Sequence, residues 1–194
     1  RRLNIVNQIN KKDFLNLDNL KVLSRYWEFL QSKENLNIKK GFGFLKSHSC
    51  LVSMFNNWFT NEQNTAGYIY VIRDPRDVVE SWSKHSGLNI DQAINFMVDW
   101  KSCIEWAQTE SELPSRVLPK TFVSSWDEHV LSWTENTLEV PKLIIKYEDL
   151  VYNKLEILQK LINFFKVNYN INFKNIDEKI SKIIKSTSFN ILKS

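Results

Sequence analysis

The chain has 194 residues, 43% hydrophobic and 13% aromatic, which is enough for one real core and too little for two substantial domains. Charged residues make up 25%, and 26 Lys and Arg against 22 Asp and Glu leave a net charge of +4, a mild basic excess that suits an anionic ligand and does not call for nucleic acid. The two cysteines, Cys50 and Cys103, lie far apart with no CxxC or Cys/His cluster, which points away from a disulfide framework and from any metal site.

No apolar run approaches the roughly 18 residues that span a bilayer. The opening stretch RRLNIVNQINKKDF lacks the apolar centre of a signal peptide. A cytoplasmic protein without a membrane span is therefore expected. The first residue is not methionine, which leads us to expect a start inside a longer reading frame. Gly and Pro number four each, and no repeat, linker or block of like charge divides the chain, so residues 1–194 are expected to form one domain.

In chain order, Leu20, Leu23, Trp27 and Leu30 recur at 3/4 spacing and predict an amphipathic helix from Asp13 to Ser32. GFGFLKSH (41–48) is short, aromatic and glycine-bounded at its start, and reads as a strand ending in polar residues. YIYVIR (68–73) is the best strand pattern, aromatic and β-branched up to Arg73. Asp74 as N-cap, Pro75 at the first helical position and Asp77 in the first turn predict a helix from Pro75 to about Ser86. Further helices are predicted from Ile90 to Gln108 and from Ser124 to Asn136. KLIIKYED (142–149) reads as a second buried strand, followed by helices from Asn153 to Phe165 and from Ile176 to Lys185. Strands separated by helices imply parallel pairing, and so an α/β three-layer sandwich with a central, mostly parallel sheet flanked by helices. In such sheets ligands bind beyond the carboxyl ends of the strands. Lys46 and His48, Arg73, and Tyr147 are all expected there.

The stretch YVIRDPRDVVESW (70–82) concentrates charge between a strand and a helix. A guanidinium at a strand end suits a phosphate, because its fork makes paired, charge-assisted hydrogen bonds. Seating that phosphate on the helix N-terminus is disfavoured, since Asp74 and Asp77 already occupy the positive end. Ser81 lies about six residues inside the helix, roughly 9 Å along its axis, so a phosphate beside the helix would need Arg73 to lean along it. From pattern alone, a capped and salt-bridged helix start remains open. Lys46 and His48, two apart on a predicted strand, would face the same side, and imidazole suits proton removal near neutral pH. A structural role for His48 is equally open. His129 stands in Trp126-x-x-His129-x-x-x-Trp133, a helical spacing that predicts a packing residue, and His85 reads as a solvated histidine at a helix end.

VIRDPRDVVESW resembles the 3′-phosphate-binding segment of sulfotransferases that use 3′-phosphoadenosine 5′-phosphosulfate (PAPS). Further segments follow in family order. FLKSH (44–48) is similar to the Lys-Thr-His segment of the catalytic base, IIKYEDL (144–150) to the Tyr-Glu-Asp-Leu strand end, and STSFNILK (186–193) to the Thr-Ser-Phe segment near the adenine. SSWDEHVLSW (124–133) resembles the stretch before the second strand. The resemblance implies the P-loop NTPase-like sulfotransferase fold, with PAPS as cosubstrate. It makes His48 the base and Lys46 the charge stabiliser, gives the 3′-phosphate to Arg73 and Ser81, and sets Tyr147, Thr187 and Phe189 around the adenine. Thr187 and Phe189 read equally well as cap and core residues. The acceptor implied is a small molecule or carbohydrate, with neither nucleic acid nor metal, and a homodimer is left open.

The family's Pro-Lys-Ser-Gly-Thr-type phosphosulfate loop does not occur before residue 41, and the chain stops before its Arg-Lys-Gly segment. The expectation is a fold incomplete at both ends, whose 194 residues alone bind nucleotide weakly at best and transfer no measurable sulfate. A non-catalytic protein that keeps the scaffold for interaction or nucleotide binding is the alternative.

Overall fold

In the computed structural model, which describes residues 9–14, 16–39, 41–105 and 119–187, the helix expected from Asp13 to Ser32 is three short ones. They are α1 (Lys11–Phe14), α2 (Leu20–Ser24) and α3 (Trp27–Leu30). At the first break asparagine side chains compete for backbone groups. Asn16 Nδ2 donates to Lys12 O at 2.6 Å, and Asn19 Oδ1 accepts from Lys21 N at 2.9 Å and starts α2 afresh. The 3/4 spacing still does its packing. Leu23 and Trp27 are buried with Ile9 and Leu17, and Val52, Met54 and Phe59 close over them.

The strand expected over GFGFLKSH is absent: residues 41–48 run as exposed coil. Two glycines in the first three residues weaken any strand, Gly41 has φ +68°, and Phe44 and Leu45 are 77% and 63% exposed. Beyond it come β1 (Ser53–Met54) and β2 (Asn57–Trp58), an antiparallel hairpin. Its two-residue turn holds Phe55 and Asn56 at positive φ (51° and 64°), the combination that matches the twist of a hairpin.

Next are β3 (Tyr68–Ile72), α4 (Pro75–Ser86) and α5 (Ile90–Val98). Helix α4 spans the predicted residues, and Gly87 at φ +69° follows its last turn. Helix α5 begins on a reciprocal capping box between Asn89 and Gln92. It ends ten residues before the expected Gln108 because Asp99 is extended and Ser102 Oγ donates back to Phe96 O at 2.5 Å. There β4 (Cys103–Ile104) pairs antiparallel with β5 (Thr121–Phe122). Helix α6 (Trp126–Thr134) follows, then β6 (Lys142–Lys146), α7 (Tyr147–Tyr152), α8 (Lys154–Tyr169) and α9 (Ile176–Ser186).

The chain forms two compact units, residues 1–66 with 75–140, and residues 67–74 with 141–194. In the second unit β3 and β6 pair parallel and in register, from Tyr68↔Lys142 to Ile72↔Lys146. This is the α/β arrangement expected of strands separated by helices, and it is the parallel pairing found among the described residues. Helix α8 lies against β6 and α9 against α8, burying Ile145, Ile157, Phe164 and Ile180. Asn170, left-handed at φ 53°, caps α8. Ile69, Val71 and Ile144 of the pair remain 36%, 45% and 42% exposed.

Candidate functional site

The register of the parallel pair decides what stands at its carboxyl end. Since Ile72 opposes Lys146, the next residues, Arg73 and Tyr147, fall side by side. The Arg73 guanidinium lies 4.6 Å from the Tyr147 ring centroid. Tyr147 opens α7 rather than extending β6 to Asp149 as expected, and this turn of helix brings Glu148 back towards β3. Glu148 Oε1 accepts from the Asp74 backbone N–H at 3.3 Å. Stacking uses the flat face of a guanidinium, and its N–H edge is the part that recognises phosphate. Thr187 closes α9: its Oγ1 donates to Ile183 O at 2.7 Å, and Lys154 Nζ reaches both its carbonyl and its hydroxyl. Phe189 lies outside the described residues.

Lys46, His48 and Ser81 belong to the first unit. With no strand formed, the expected shared face of Lys46 and His48 has no pleat to enforce it. Both are exposed, yet they remain close enough to interact. The surrounding protein disfavours a charged His48 ring, and the nearby charges of Lys46 and of His85 add to this, so its pKa lies below the ordinary 6.5. His85 is exposed near the end of α4, as expected of a solvated histidine, and stands four residues beyond the exposed Ser81 on the same helix.

The segment carrying His48 is held by α6. His129 Nε2 donates to the His48 carbonyl at 3.2 Å, and Trp133 Nε1 donates to the Ser49 carbonyl at 3.0 Å. Ser132 Oγ accepts from Leu51 N at 3.1 Å and from the Cys50 thiol at 3.2 Å. His129 is half-buried, and burial is the main reason its pKa is lowered from 6.5. Burial likewise pushes the Cys50 thiol up. The Trp-x-x-His-x-x-x-Trp spacing predicted packing for His129 and missed this hydrogen bonding. The visible signal was three donor-bearing residues at 129, 132 and 133, one helical face. The role of Glu148 had no comparable signal.

An open cavity of about 810 Å³ lies among α4, α5 and α6, lined by Val79, Ile94, Met97, Trp100 and Trp126 with Asp127 at its edge. None of the described residues chosen from the sequence lines it. Among the described residues no cluster of three or more His, Cys, Asp or Glu could hold a metal ion, and no helix is long and apolar enough to cross a membrane.

The Sulfotransferase domain family model matches residues 3–194. Sulfotransferase 1B1 of Canis lupus familiaris is 30% identical over 132 residues, 68% of this chain and 38% of that protein. Luciferin sulfotransferase of Photinus pyralis is 25% identical over 155 residues, 80% of this chain and 36% of that protein. The crystal structure of mouse sulfotransferase SULT7A1 complexed with PAP aligns with a TM-score of 0.48 at 23% identity, over 69% of this chain and 42% of that chain. The chain thus spans 38% and 36% of the length of the two curated relatives.

Proposed function

The chain belongs to the sulfotransferase family, and on that premise we propose that it transfers a sulfuryl group from PAPS to a hydroxyl or amine of a small-molecule or carbohydrate acceptor in the cytoplasm. The observation that carries the reading is that Lys46 and His48 stand two residues apart within one unit, the lysine charge being one of the causes that lower the histidine pKa. A neutral imidazole can take a proton. A lysine beside it supplies positive charge where negative charge builds up.

In the proposed reaction the acceptor oxygen or nitrogen forms a bond to sulfur as the bond from sulfur to the 5′-phosphate oxygen breaks. The acceptor's proton goes to His48, and the electron pair left on the phosphate oxygen is met by Lys46. Sulfuryl transfer, like phosphoryl transfer, passes through a loose transition state, so placing the two partners and stabilising the leaving oxygen do most of the work. Arg73 and Ser81 are read as the 3′-phosphate contacts, with Tyr147 at the adenine edge and Thr187 and Phe189 near the base. What supports these roles is the family order of the segments in which the residues stand. The adjacent Arg73 and Tyr147 also have suitable chemistry for a nucleotide bearing a phosphate, a cationic donor edge beside an aromatic hydroxyl.

The test uses protein expressed from its complete reading frame. Calorimetry with 3′-phosphoadenosine 5′-phosphate (PAP) and a radiolabelled transfer assay over a panel of phenols, alcohols, amines and sugars should show nucleotide binding together with transfer. Binding without transfer to any acceptor would remove the catalytic part of the reading, and no binding would remove the whole of it.

A further inference from the structure

Residues 41–48 form no strand, so no sheet ladder fixes the place of His48. The chain just after it is fixed instead by side chains from α6 and by the strand ahead of that helix. The carbonyls of His48 and Ser49 accept from His129 and Trp133. Cys50 N donates to Phe122 O at 2.9 Å, and Leu51 N donates to Ser132 Oγ. Four successive residues therefore each have a backbone group tied down. His129, Ser132 and Trp133 stand at i, i+3 and i+4, on one face of the helix. Ser132 Oγ in turn donates to His129 O at 2.8 Å, which joins two of the three ties.

The tie to His48 itself has a defined proton. A carbonyl oxygen only accepts, so Nε2 of His129 must carry the hydrogen. Among the groups that bear on this region are Lys46 and His85 towards His48, His48 towards His129, and Glu128 towards Cys50. None of these is a carboxylate aimed at His129, and the neutral ring with its proton on Nε2 meets the geometric need.

We propose that His129 is a positioning residue for His48, its hydrogen bond to the His48 carbonyl fixing where the His48 ring meets the acceptor. This rests on the reading of His48 as the base. A base must stand within hydrogen-bond reach of the proton it takes, and a misplacement of about 1 Å can lower a rate by about a hundredfold. A coil segment has that tolerance only if something outside it supplies the rigidity.

The test compares His129→Phe, which keeps a ring but removes the donor, with His129→Gln, which restores an N–H, in protein from the complete reading frame. In His129→Phe, kcat should fall about 10- to 100-fold while the PAP dissociation constant and the KM for PAPS stay within about twofold. His129→Gln should regain most of the lost kcat. In parallel, the His48 ring followed by NMR should titrate closer to its ordinary value in His129→Phe and remain lowered in His129→Gln. Should His129→Phe not fold, His129→Asn takes its place with the same expected loss, its amide being too short to reach the carbonyl. A folded donor-less variant with unchanged kcat and unmoved His48 titration overturns the proposal. His48→Ala separates the two ideas: normal turnover there removes the base, whereas the ring titration tests the tie whatever His48 does.

Discussion

The Arg73 guanidinium lies over the Tyr147 ring, 4.6 Å from its centroid, because each is the first residue beyond one strand of an in-register parallel pair. Lysine at position 73 would keep the charge and lose both the flat face and the two-pronged edge. If Arg73 binds the 3′-phosphate, Arg73→Lys should weaken PAP binding about tenfold or more, since a charge-assisted contact contributes roughly 1.5 to 3 kcal/mol. Tyr147→Leu, which removes both the ring beside the guanidinium and the proposed adenine-edge contact, should cost at least a few-fold, the cation–ring contact alone contributing about 0.5 to 1 kcal/mol. Calorimetry on both variants decides, and an Arg73→Lys protein as tight as the wild type would exclude a bidentate contact.

His48→Ala should lower turnover by about 10² to 10⁴, the usual range for a general base, with PAP affinity nearly intact. A parallel loss of affinity would mean that His48 holds nucleotide instead.

The acidic limb of the kcat/KM profile should lie below pH 6.5. Partial desolvation by the surrounding protein, then Lys46, then His85 favour the neutral ring, so protonation needs a more acidic solution than it does for a free histidine. Lys46→Met removes one of these causes and should move the limb to higher pH. Its turnover would also drop, so the limb's position and not its height is the quantity to compare. A limb that stays put would show that Lys46 does not act on His48.

Stability should fall as the solution is acidified from pH 7.5 to 5.5. His48 and His129 both have folded pKa values below 6.5. Between those values and 6.5 the unfolded chain binds protons that the folded chain does not. The stabilisation is therefore complete above about 6.5 and is lost as pH falls through the folded values. Asp13, also lowered, chiefly by its hydrogen bond from Tyr26, acts in the same sense only below 3.8. Urea melts at the two pH values should show the decline, and a smaller one in His129→Phe; identical declines would assign it to other groups.

Gly67→Ala should destabilise the second unit. A Cβ there would stand 2.8 Å from the Pro141 carbonyl oxygen, which is backbone and cannot swing aside, and would also strike the Tyr169 hydroxyl. Overpacking of this kind costs about 1 to 3 kcal/mol. An unchanged urea midpoint would show that the strand entry yields more easily than the geometry suggests.

The elements that proved legible in the sequence are those with a local cause. Pro75 and Gly87 bracket α4, and YIYVI and KLIIK carry enough β-branched and aromatic side chains to declare themselves. The long N-terminal helix failed because hydrophobic spacing says which side faces the core and nothing of asparagines that divert backbone hydrogen bonds. GFGFLKSH failed because strand character is realised only beside a partner, and the described residues offer it none. Of the site, Lys46 and His48 were visible as chemistry, while their setting depended on His129, Ser132 and Trp133, about 80 positions away in the chain. Contacts of that range leave no periodic trace.

The interrupted second unit has a consequence for folding order. Its strand β3 leaves the ribosome well before β6, its partner, which is 74 residues downstream at every paired position. Until β6 leaves the ribosome, YIYVI is an unpaired apolar strand, and the intervening loop must close before any ladder bond rewards it. The pair should form late and expose an aggregation-prone segment in the meantime. The charge cluster directly behind it, RDPRD, is then a gatekeeper that keeps neighbouring nascent chains from stacking on that strand.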